Sequence, residues 1–294
     1  AAAFHTSRRQ DPGGTLPVGL VCAIGDDFED ADLQLLKNAG LNLDGIETID
    51  GGRTFRWHGK YEGDMAQAIT IETQQNVLDG YQPKVPAAWW APRVLFLANN
   101  HPSIQAHVLD QCEGAKYIAL DSMNLWINIA FEELSSVLRR IDLAILNDNE
   151  VRMIAKDENL IRAGESIRSG EALTGGKDSG SGPSILIIKK GEHGCIALTE
   201  SGILTLPAYP TPDLVDPTGC GDSFAGTLLT FLSETESLVP SLEELHNALV
   251  HATVMASFTL SQFGVAGIVD LERGEYPVSY THLRAHETPE HRGF

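Results

Sequence analysis

The chain has 294 residues, 43% of them hydrophobic, and its 40 Asp and Glu residues outnumber 21 Lys and Arg residues to give a formal net charge of −19. This length and apolar fraction exclude a disordered or collagen-like chain and fit one large α/β domain or two modest ones. The acidic balance disfavours partners with phosphate backbones or anionic lipid surfaces, so we expect no nucleic-acid and no membrane partner.

The cysteines are widely separated and form no C-x-x-C pair. They are Cys22, Cys112, Cys195 and Cys220. This spacing is typical of reduced thiols and predicts a cytoplasmic protein rather than a disulfide framework or a zinc site. An Arg-Arg pair near the start is followed by polar residues instead of an apolar stretch, so we expect no export signal.

The C-terminal segment differs in composition from the rest of the chain. From residue 277 onward it is polar and without apolar period, and it resembles translated adapter sequence. We therefore expect a domain over 1–276 and a non-native tail over 277–294. His286 and Glu287 would begin an H-E-x-x-H metal motif, but Glu290 stands where the second His is needed.

Short apolar runs alternate with helical patterns through the middle of the chain. Runs typical of strands buried in a parallel sheet lie at 18–24, 93–97, 117–120, 143–146 and 185–188. Apolar residues at three- and four-residue spacing predict helices at 103–112, 130–139 and 149–155. This order predicts βαβ units and a doubly wound α/β sheet.

One segment follows a different period. Over 53–61 the aromatic residues Phe55, Trp57 and Tyr61 share one face and polar residues the other. With the strand-like residues 68–72 close behind, the pattern predicts an antiparallel flap, which is either an ordinary edge hairpin or a lid over a site. Farther along, the Gly- and Ser-rich stretch at 175–182 predicts a loop.

The chemistry concentrates in the string DPTGCGDSFAG, from Asp216 to Gly226. Gly219 and Gly221 flank one small residue and allow the backbone to present successive N–H groups where a helix begins, which favours phosphate binding. Asp222 then falls in the first helical turn, where a carboxylate can accept a proton from an attacking hydroxyl. A capping carboxylate is the alternative for a bare G-x-G-D, but the full string favours catalysis.

This string resembles the second signature of the PfkB, or ribokinase-like, carbohydrate kinases, which is D-x-T-G-A-G-D-x-F-x-G. The resemblance implies a kinase that depends on ATP and Mg²⁺. It also implies a three-layer α/β/α sandwich with a mainly parallel sheet and a small β lid at about 52–73.

The resemblance further assigns roles around the motif. It makes Asp222 the catalytic base, and it implies an anion hole formed by the N–H groups of Gly219, Cys220 and Gly221. Asp216 and Thr218 would lie near a monovalent cation such as K⁺. Cys220 stands where alanine is usual, and a thiol at a helix N-terminus is expected to have a lowered pKa and to be sensitive to oxidation.

Two other segments resemble motifs of the same family. Asn147 and Glu150 match its N-x-x-E motif, which would organise Mg²⁺ and its waters, although the same residues are also good helix caps. The string KKGEHG resembles its nucleotide loop, where Lys189 would reach phosphate and Gly191 and Gly194 would lie at the nucleotide. A surface hairpin turn is the alternative for this loop.

The start of the chain resembles the family after its first strand. The turn Gly25-Asp26-Asp27 and the strand at 52–55 are similar to family features, but the first strand, with its acidic acceptor anchor and Gly-Gly hinge, is expected to be missing. Ligands bind open α/β sheets at the carboxyl ends of strands. We therefore expect the acceptor to contact Asn99, Asp121 and Asn124, although each is equally suited to capping a loop.

Other phosphate motifs do not fit. The glycines before Lys177 approach a P-loop, but neither Ser nor Thr follows that lysine and no strand precedes the glycines. The sequence therefore predicts transfer of the γ-phosphate of Mg-ATP to a hydroxyl of a small sugar. An adenosine-type nucleoside kinase and a non-catalytic nucleotide-binding protein on the same fold are the alternatives, and the resemblance makes a homodimer through the lid plausible.

Overall fold

The computed structural model describes residues 1–7, 18–61, 68–237, 239–269, 271, 276, 279–281 and 283. Their strands are β1 Val18–Gly25, β2 Leu41–Ile49, β3 Arg56–Tyr61, β4 Ala68–Gln74, β5 Leu95–Leu97, β6 Ile118–Asp121, β7 Leu143–Asn147, β8 Ile185–Lys189, β9 Cys195–Thr199 and β10 Gly202–Leu206. Their helices are α1 Ala2–Ser7, α2 Asp30–Asn38, α3 Pro102–Gln111, α4 Asn124–Ile129, α5 Phe131–Leu138, α6 Asp148–Ala155, α7 Leu160–Arg168, α8 Cys220–Leu232, α9 Leu242–Leu260 and α10 Ala266–Val269.

The central sheet has six strands in the order β10-β9-β8-β7-β6-β5. Strands β5 to β8 are parallel, and β9 and β10 extend the sheet as an antiparallel hairpin. The mainly parallel sheet and the positions of β5 to β8 confirm the prediction. Strands β9 and β10 were not predicted, but the antiparallel turn from β8 into β9 realises the hairpin alternative for the KKGEHG string.

Helices cover both faces of this sheet. Along β7, Leu143 and Ile145 face a core formed with α8 and α9, while Ala144 and Leu146 face a core formed with α3, α5, α6 and α7. All four side chains are fully buried, as expected for a parallel strand covered on both faces. The result is the predicted three-layer α/β/α sandwich.

Strands β1 and β2 form a separate parallel pair among the described residues. The indole of Trp89 lies over this pair, because a Cβ atom at Gly19 or Gly45 would lie 2.9 Å from its ring. The predicted strand at 18–24 is therefore confirmed as a strand, but the structure pairs it with β2 and not with the central sheet.

Strands β3 and β4 form the predicted antiparallel flap, which we call the lid. Along β3, Trp57 and Tyr61 are half-buried, whereas Arg56, His58 and Lys60 are exposed, as their alternation predicts. The Trp57 indole N–H donates to Thr70 Oγ1 at 3.1 Å across the two strands. The two faces are thus confirmed within β3, whereas Phe55, which was predicted for the aromatic face, lies before the strand and is 39% exposed.

The base of the lid is joined to the turn after β1. Gly25 N–H donates to Thr54 Oγ1 at 3.0 Å, and Thr54 N–H donates to Asp27 Oδ1 at 2.6 Å. Arg56 also pairs with Asp27 at 3.0 Å. The hydrogen bonds from Thr54, with a smaller effect of Arg56, hold the pKa of Asp27 at about 2. A Cβ atom at Gly25 would clash with Gly52 O, so only glycine fits this approach of the two turns.

The predicted loop at 175–182 is organised by Arg139, which follows α5. Its guanidinium donates to the carbonyls of Gly180, Thr174 at 2.9 Å and Gly176 at 3.0 Å. These bonds tie the glycine-rich loop to the end of α5.

A few residues of the C-terminal region belong to the described structure. Leu283 is buried in the core beside α8 and α9, and Tyr280 Oη donates to Asn247 Oδ1 at 2.9 Å while its ring stacks on His251. His286, Glu287 and Glu290, where the sequence lacks the second His of a metal motif, lie outside the described residues. In the described part of the chain, no helix combines the length and apolar character needed to cross a membrane.

Candidate active site

Three polar side chains stand at the carboxyl edge of the central sheet. Asp121 ends β6, Asn147 ends β7 and Lys189 ends β8. The parallel register pairs Asn147 with Lys189, and it pairs Asp121 with Ile145, two residues before Asn147, so the three residues lie near one another along one edge. This is the edge at which open α/β sheets bind ligands.

Helix α8 begins at this site. Gly219 precedes it with φ +84, a left-handed conformation that favours glycine, and no side chain caps the helix. Cys220 N–H donates to Pro217 O at 3.2 Å, whereas the N–H groups of Gly219, Gly221 and Asp222 have no acceptor among the described residues. The open N-terminus of α8 can therefore bind an anion, with the Asp222 N–H as a donor that the sequence did not suggest.

Asp222 lies in the first turn of α8, as predicted. Its side chain is solvent-accessible, as a group that receives a substrate must be. Partial desolvation and the nearby Asp121 carboxylate raise its pKa, while Lys189 acts in the opposite direction. A carboxylate with a raised pKa at an anion-binding turn is suited to accepting a proton.

Asn147 and Glu150 form a complete capping box at the start of α6. Glu150 N–H donates to Asn147 Oδ1 at 2.8 Å, and Asn147 N–H donates to Glu150 Oε2 at 2.8 Å. Glu150 is 4% exposed, and burial raises its pKa to about 7 against the opposing effect of Lys189. The capping alternative is thus realised, and the Mg²⁺ role of both residues stays a prediction.

The donor set still fits Mg²⁺ held through water. The described residues include no cluster of three His, Cys, Asp or Glu side chains that could hold a metal by themselves. However, Asp121 and Lys189 act on both Glu150 and Asp222, so three carboxylates face one lysine at this edge. Excess negative charge from oxygen donors suits a hydrated Mg²⁺ that reaches the site with phosphate.

Lys189 points into this cluster. Its Nζ donates to Asp121 Oδ1 at 3.3 Å, and a Cβ atom at Gly221 would lie 3.1 Å from that nitrogen. The ammonium therefore lies between β6 and the open end of α8. Sequence reasoning missed this pairing, because Lys189 and Asp121 were assigned to different subsites.

The expectation for Cys220 is wrong. The thiol donates to Ala256 O at 3.5 Å, and burial together with Asp216 and Asp222 raises its pKa to about 12. The helix N-terminus does not produce a reactive thiolate here, since burial against α9 and two carboxylates outweigh it.

The predicted cation residues lie in the turn before α8. Thr218 N–H donates to Asp216 Oδ1 at 2.9 Å. Thr218 Oγ1 also donates to the Tyr61 hydroxyl of the lid at 3.4 Å. The aromatic face of the lid therefore meets the turn of the motif, and the position of Tyr61 on that face was the available signal.

The remaining predicted site residues are those expected at the acceptor and at the nucleotide. Asn99 Oδ1 accepts from the Trp126 indole at 2.9 Å, and Asn124, the first residue of α4, is exposed near the same edge. Gly191 and Gly194 lie in the turn after β8 with φ +55 and +78. Since a Cβ atom at Gly194 would clash with Leu206 O, packing alone accounts for that glycine, and the nucleotide role of both stays a prediction.

Comparison with known proteins places this fold and motif in one family. The model of the pfkB family carbohydrate kinases matches residues 13–270. The chain belongs to the PfkB family. Members of this family are phosphotransferases, and the predicted resemblance is thereby confirmed.

Individual PfkB relatives differ in their substrates. The chain is 26% identical over 231 residues to the cytidine kinase of Thermococcus kodakarensis, covering 75% of this chain and 76% of that one. It is 25% identical over 135 residues to fructokinase-2 of Zea mays, covering 46% and 37%. An Escherichia coli protein provisionally assigned as ribokinase II, with ATP and Mg²⁺ bound, has the same fold at a TM-score of 0.71 and 18% identity, covering 97% and 88%.

Proposed function

We propose that this protein uses Mg-ATP and transfers its γ-phosphate to a hydroxyl group of a small sugar. The observation that carries the proposal is the open start of α8, where the N–H groups of Gly219 and Gly221 precede the solvent-accessible carboxylate of Asp222. Anion binding and proton acceptance are thus one helical turn apart, which is the pairing that phosphoryl transfer to a hydroxyl requires.

The proposed reaction moves one proton and exchanges one P–O bond for another. The acceptor hydroxyl gives its proton to Asp222 as its oxygen forms a bond to the γ-phosphorus. The bond from that phosphorus to the oxygen bridging it to ADP breaks, and the electron pair leaves with ADP. The N–H groups at the start of α8 bind the phosphoryl oxygens, on which negative charge is concentrated.

Bound Mg²⁺ would neutralise phosphate charge in this site. We propose that Asn147 and Glu150 hold its waters, since both residues stand at the sheet edge beside Lys189. We propose a K⁺ site at Asp216 and Thr218, which are already linked to each other by a turn.

A nucleoside is the second candidate acceptor. The cytidine kinase match covers more of the chain than the fructokinase match. The half-buried rings of Trp57 and Tyr61 on the lid face that meets Thr218 also offer a surface on which a base can stack.

A homodimer through the lid stays a proposal, supported by the exposed side chains of Ile69 and Ile71 on β4.

The first test measures ADP release from Mg-ATP over a panel of sugars and nucleosides. We expect release with one acceptor class and a loss of about 10²- to 10⁴-fold in kcat for Asp222→Asn, because a general base contributes that much. Asp110→Asn is the matched control, since Asp110 forms a surface pair with Arg140 at 2.6 Å far from the motif in sequence.

The outcomes separate the proposed activities. Release with a sugar supports the first candidate, and release only with nucleosides supports the second. Binding of Mg-ATP without ADP release for any acceptor would instead favour a non-catalytic nucleotide-binding protein. Near-normal turnover of Asp222→Asn would refute the role of that carboxylate.

A further inference from the structure

Lys189 makes a contact that its predicted role in a nucleotide loop does not require. It is the last residue of β8, and its ammonium reaches across to Asp121 at the end of β6, 68 residues earlier in the chain. The side chain of Lys189 is 21% exposed and that of Asp121 only 9%, so the pair lies inside the site and not on its rim. Its nitrogen lies against Gly221, at the open start of α8.

The charges around Lys189 keep its ammonium protonated. Burial alone would lower the pKa of Lys189, but the carboxylates of Asp121, Glu150 and Asp222 raise it above the ordinary value. Lys189 acts on both Glu150 and Asp222 and opposes the rise in the pKa of each. Its ammonium is therefore a fixed positive charge among several carboxylates.

The ammonium has donors to spare. A lysine ammonium carries about three N–H donors, and among the described residues the structure gives it one acceptor, Asp121 Oδ1. That oxygen also accepts from Ser122 N–H at 2.9 Å, so Asp121 is already committed to two partners. An anchored ammonium with unused donors beside open helix N–H groups is arranged to bind an anion.

We propose that Lys189 is a catalytic residue that donates hydrogen bonds to the phosphoryl group during transfer, and that Asp121 is the positioning residue that holds it against Gly221. This inference rests on the proposed function. The phosphoryl oxygens bound by the start of α8 lie next to the Lys189 ammonium, which stabilises their charge as the bond to ADP breaks and the bond to the acceptor forms. Asp121 thereby acts through Lys189 instead of holding the acceptor.

The test compares Lys189→Met with Lys177→Met. Lys177 is a matched control, since it lies in the loop at 175–182 and forms an exposed pair with Glu171 at 2.9 Å. We expect Lys189→Met to lose about 10²- to 10³-fold in kcat, as for removal of a donor to a transition-state anion, with less than about tenfold change in the KM for ATP. Lys177→Met should leave both parameters unchanged.

A binding measurement separates transition-state contact from nucleotide binding. Calorimetry with ADP and aluminium fluoride, a mimic of the phosphoryl group in transfer, should show a loss of about 10²-fold for Lys189→Met, while ADP alone binds as in the wild type. An equal loss for both ligands, with kcat retained, would return Lys189 to the nucleotide-loop role and overturn the proposal.

The double variant Lys189→Met with Asp121→Asn guards against misfolding, because it leaves no unpaired buried carboxylate at this position. We expect it to be no less active than Lys189→Met alone, as for two residues that act through one contact. Additive losses would mean that Asp121 holds the acceptor independently. A wild-type chain that releases no ADP would overturn the proposed function itself, whereas an active wild type with an active Lys189→Met overturns only this inference.

Discussion

Two helices of this protein begin with the same capping box in very different surroundings. Helix α6 starts with Asn147 and Glu150, and helix α9 starts with Ser241 and Glu244. In both, the glutamate accepts the N–H of the capping residue at 2.8 Å and donates its own N–H back. Yet burial raises the pKa of Glu150 to about 7, whereas the hydrogen bonds from Ser241 lower the pKa of Glu244.

The comparison shows that a capping box does not by itself determine the pKa, and hence the role, of its glutamate. The hydrogen bonds of the two boxes are nearly the same, so they cannot explain the opposite directions of the shifts. What differs is the position of Glu150 at the carboxyl edge of the sheet, buried beside Asp121 and Lys189. Helix α8 begins at the same edge of the sheet but has no side-chain cap at all.

The largest expected effect comes from disturbing the uncapped start of α8. Gly219→Ala places a Cβ atom on a backbone with φ +84, so the turn must relax and carry its N–H groups away from the phosphate. We expect kcat for ADP release to fall by about 10²- to 10³-fold, as when a donor to the transition state is lost.

Gly80→Ala is the matched control for this change, because Gly80 also has positive φ, at +68, with no atom within 4 Å of a Cβ. It should keep full activity. Equal activity of the two variants would show that strain at Gly219 does not reach the anion-binding turn.

The next effect is a pH dependence of stability that separates the two boxes. A raised folded-state pKa means that Glu150 stabilises the fold below its unfolded pKa, and this contribution is lost as the pH rises through about 7. Between pH 4.5 and pH 8 we expect the difference in unfolding free energy between wild type and Glu150→Gln to change by on the order of 3 kcal/mol.

Glu244→Gln should show the opposite sign. The lowered pKa of Glu244 stabilises the fold above its unfolded pKa, and this contribution is lost as the pH falls. Urea unfolding of the ligand-free protein at several pH values measures both variants. Slopes of the same sign would mean that position in the fold does not control these carboxylates.

The smallest effect concerns the caps themselves. Ser241→Ala should cost about 1 kcal/mol of stability, the usual value for losing an N-cap, and leave kcat unchanged. Asn147→Ala removes the corresponding cap of α6 and should in addition lower kcat by about 10- to 100-fold, as for a residue that supports a metal site. Unfolding midpoints and steady-state rates distinguish the two, and unchanged turnover of Asn147→Ala would leave that residue with a capping role alone.

Local patterns predicted the parts of the site that depend on adjacent residues. The apolar runs gave β5 to β8, and the glycines and aspartate of the motif gave the start of α8, because each is determined within a few residues. The pairing of β1 with β2 and the Lys189–Asp121 contact depend on residues far apart in the chain, which no local period encodes. The predicted lowering of the Cys220 pKa was wrong for the same reason, since the burial that raises this pKa comes from packing against α9.

The contact between Arg139 and the loop at 175–182 has a consequence for how this surface tolerates change. The guanidinium binds main-chain carbonyls, which every residue type supplies, so the side chains of the loop carry little of the information that shapes it. Part of that information resides instead in Arg139, at the end of α5, and part in the glycines with positive φ. Randomising the loop while keeping the glycines with positive φ should therefore yield many folded chains, whereas replacing Arg139 should loosen the loop whatever its sequence.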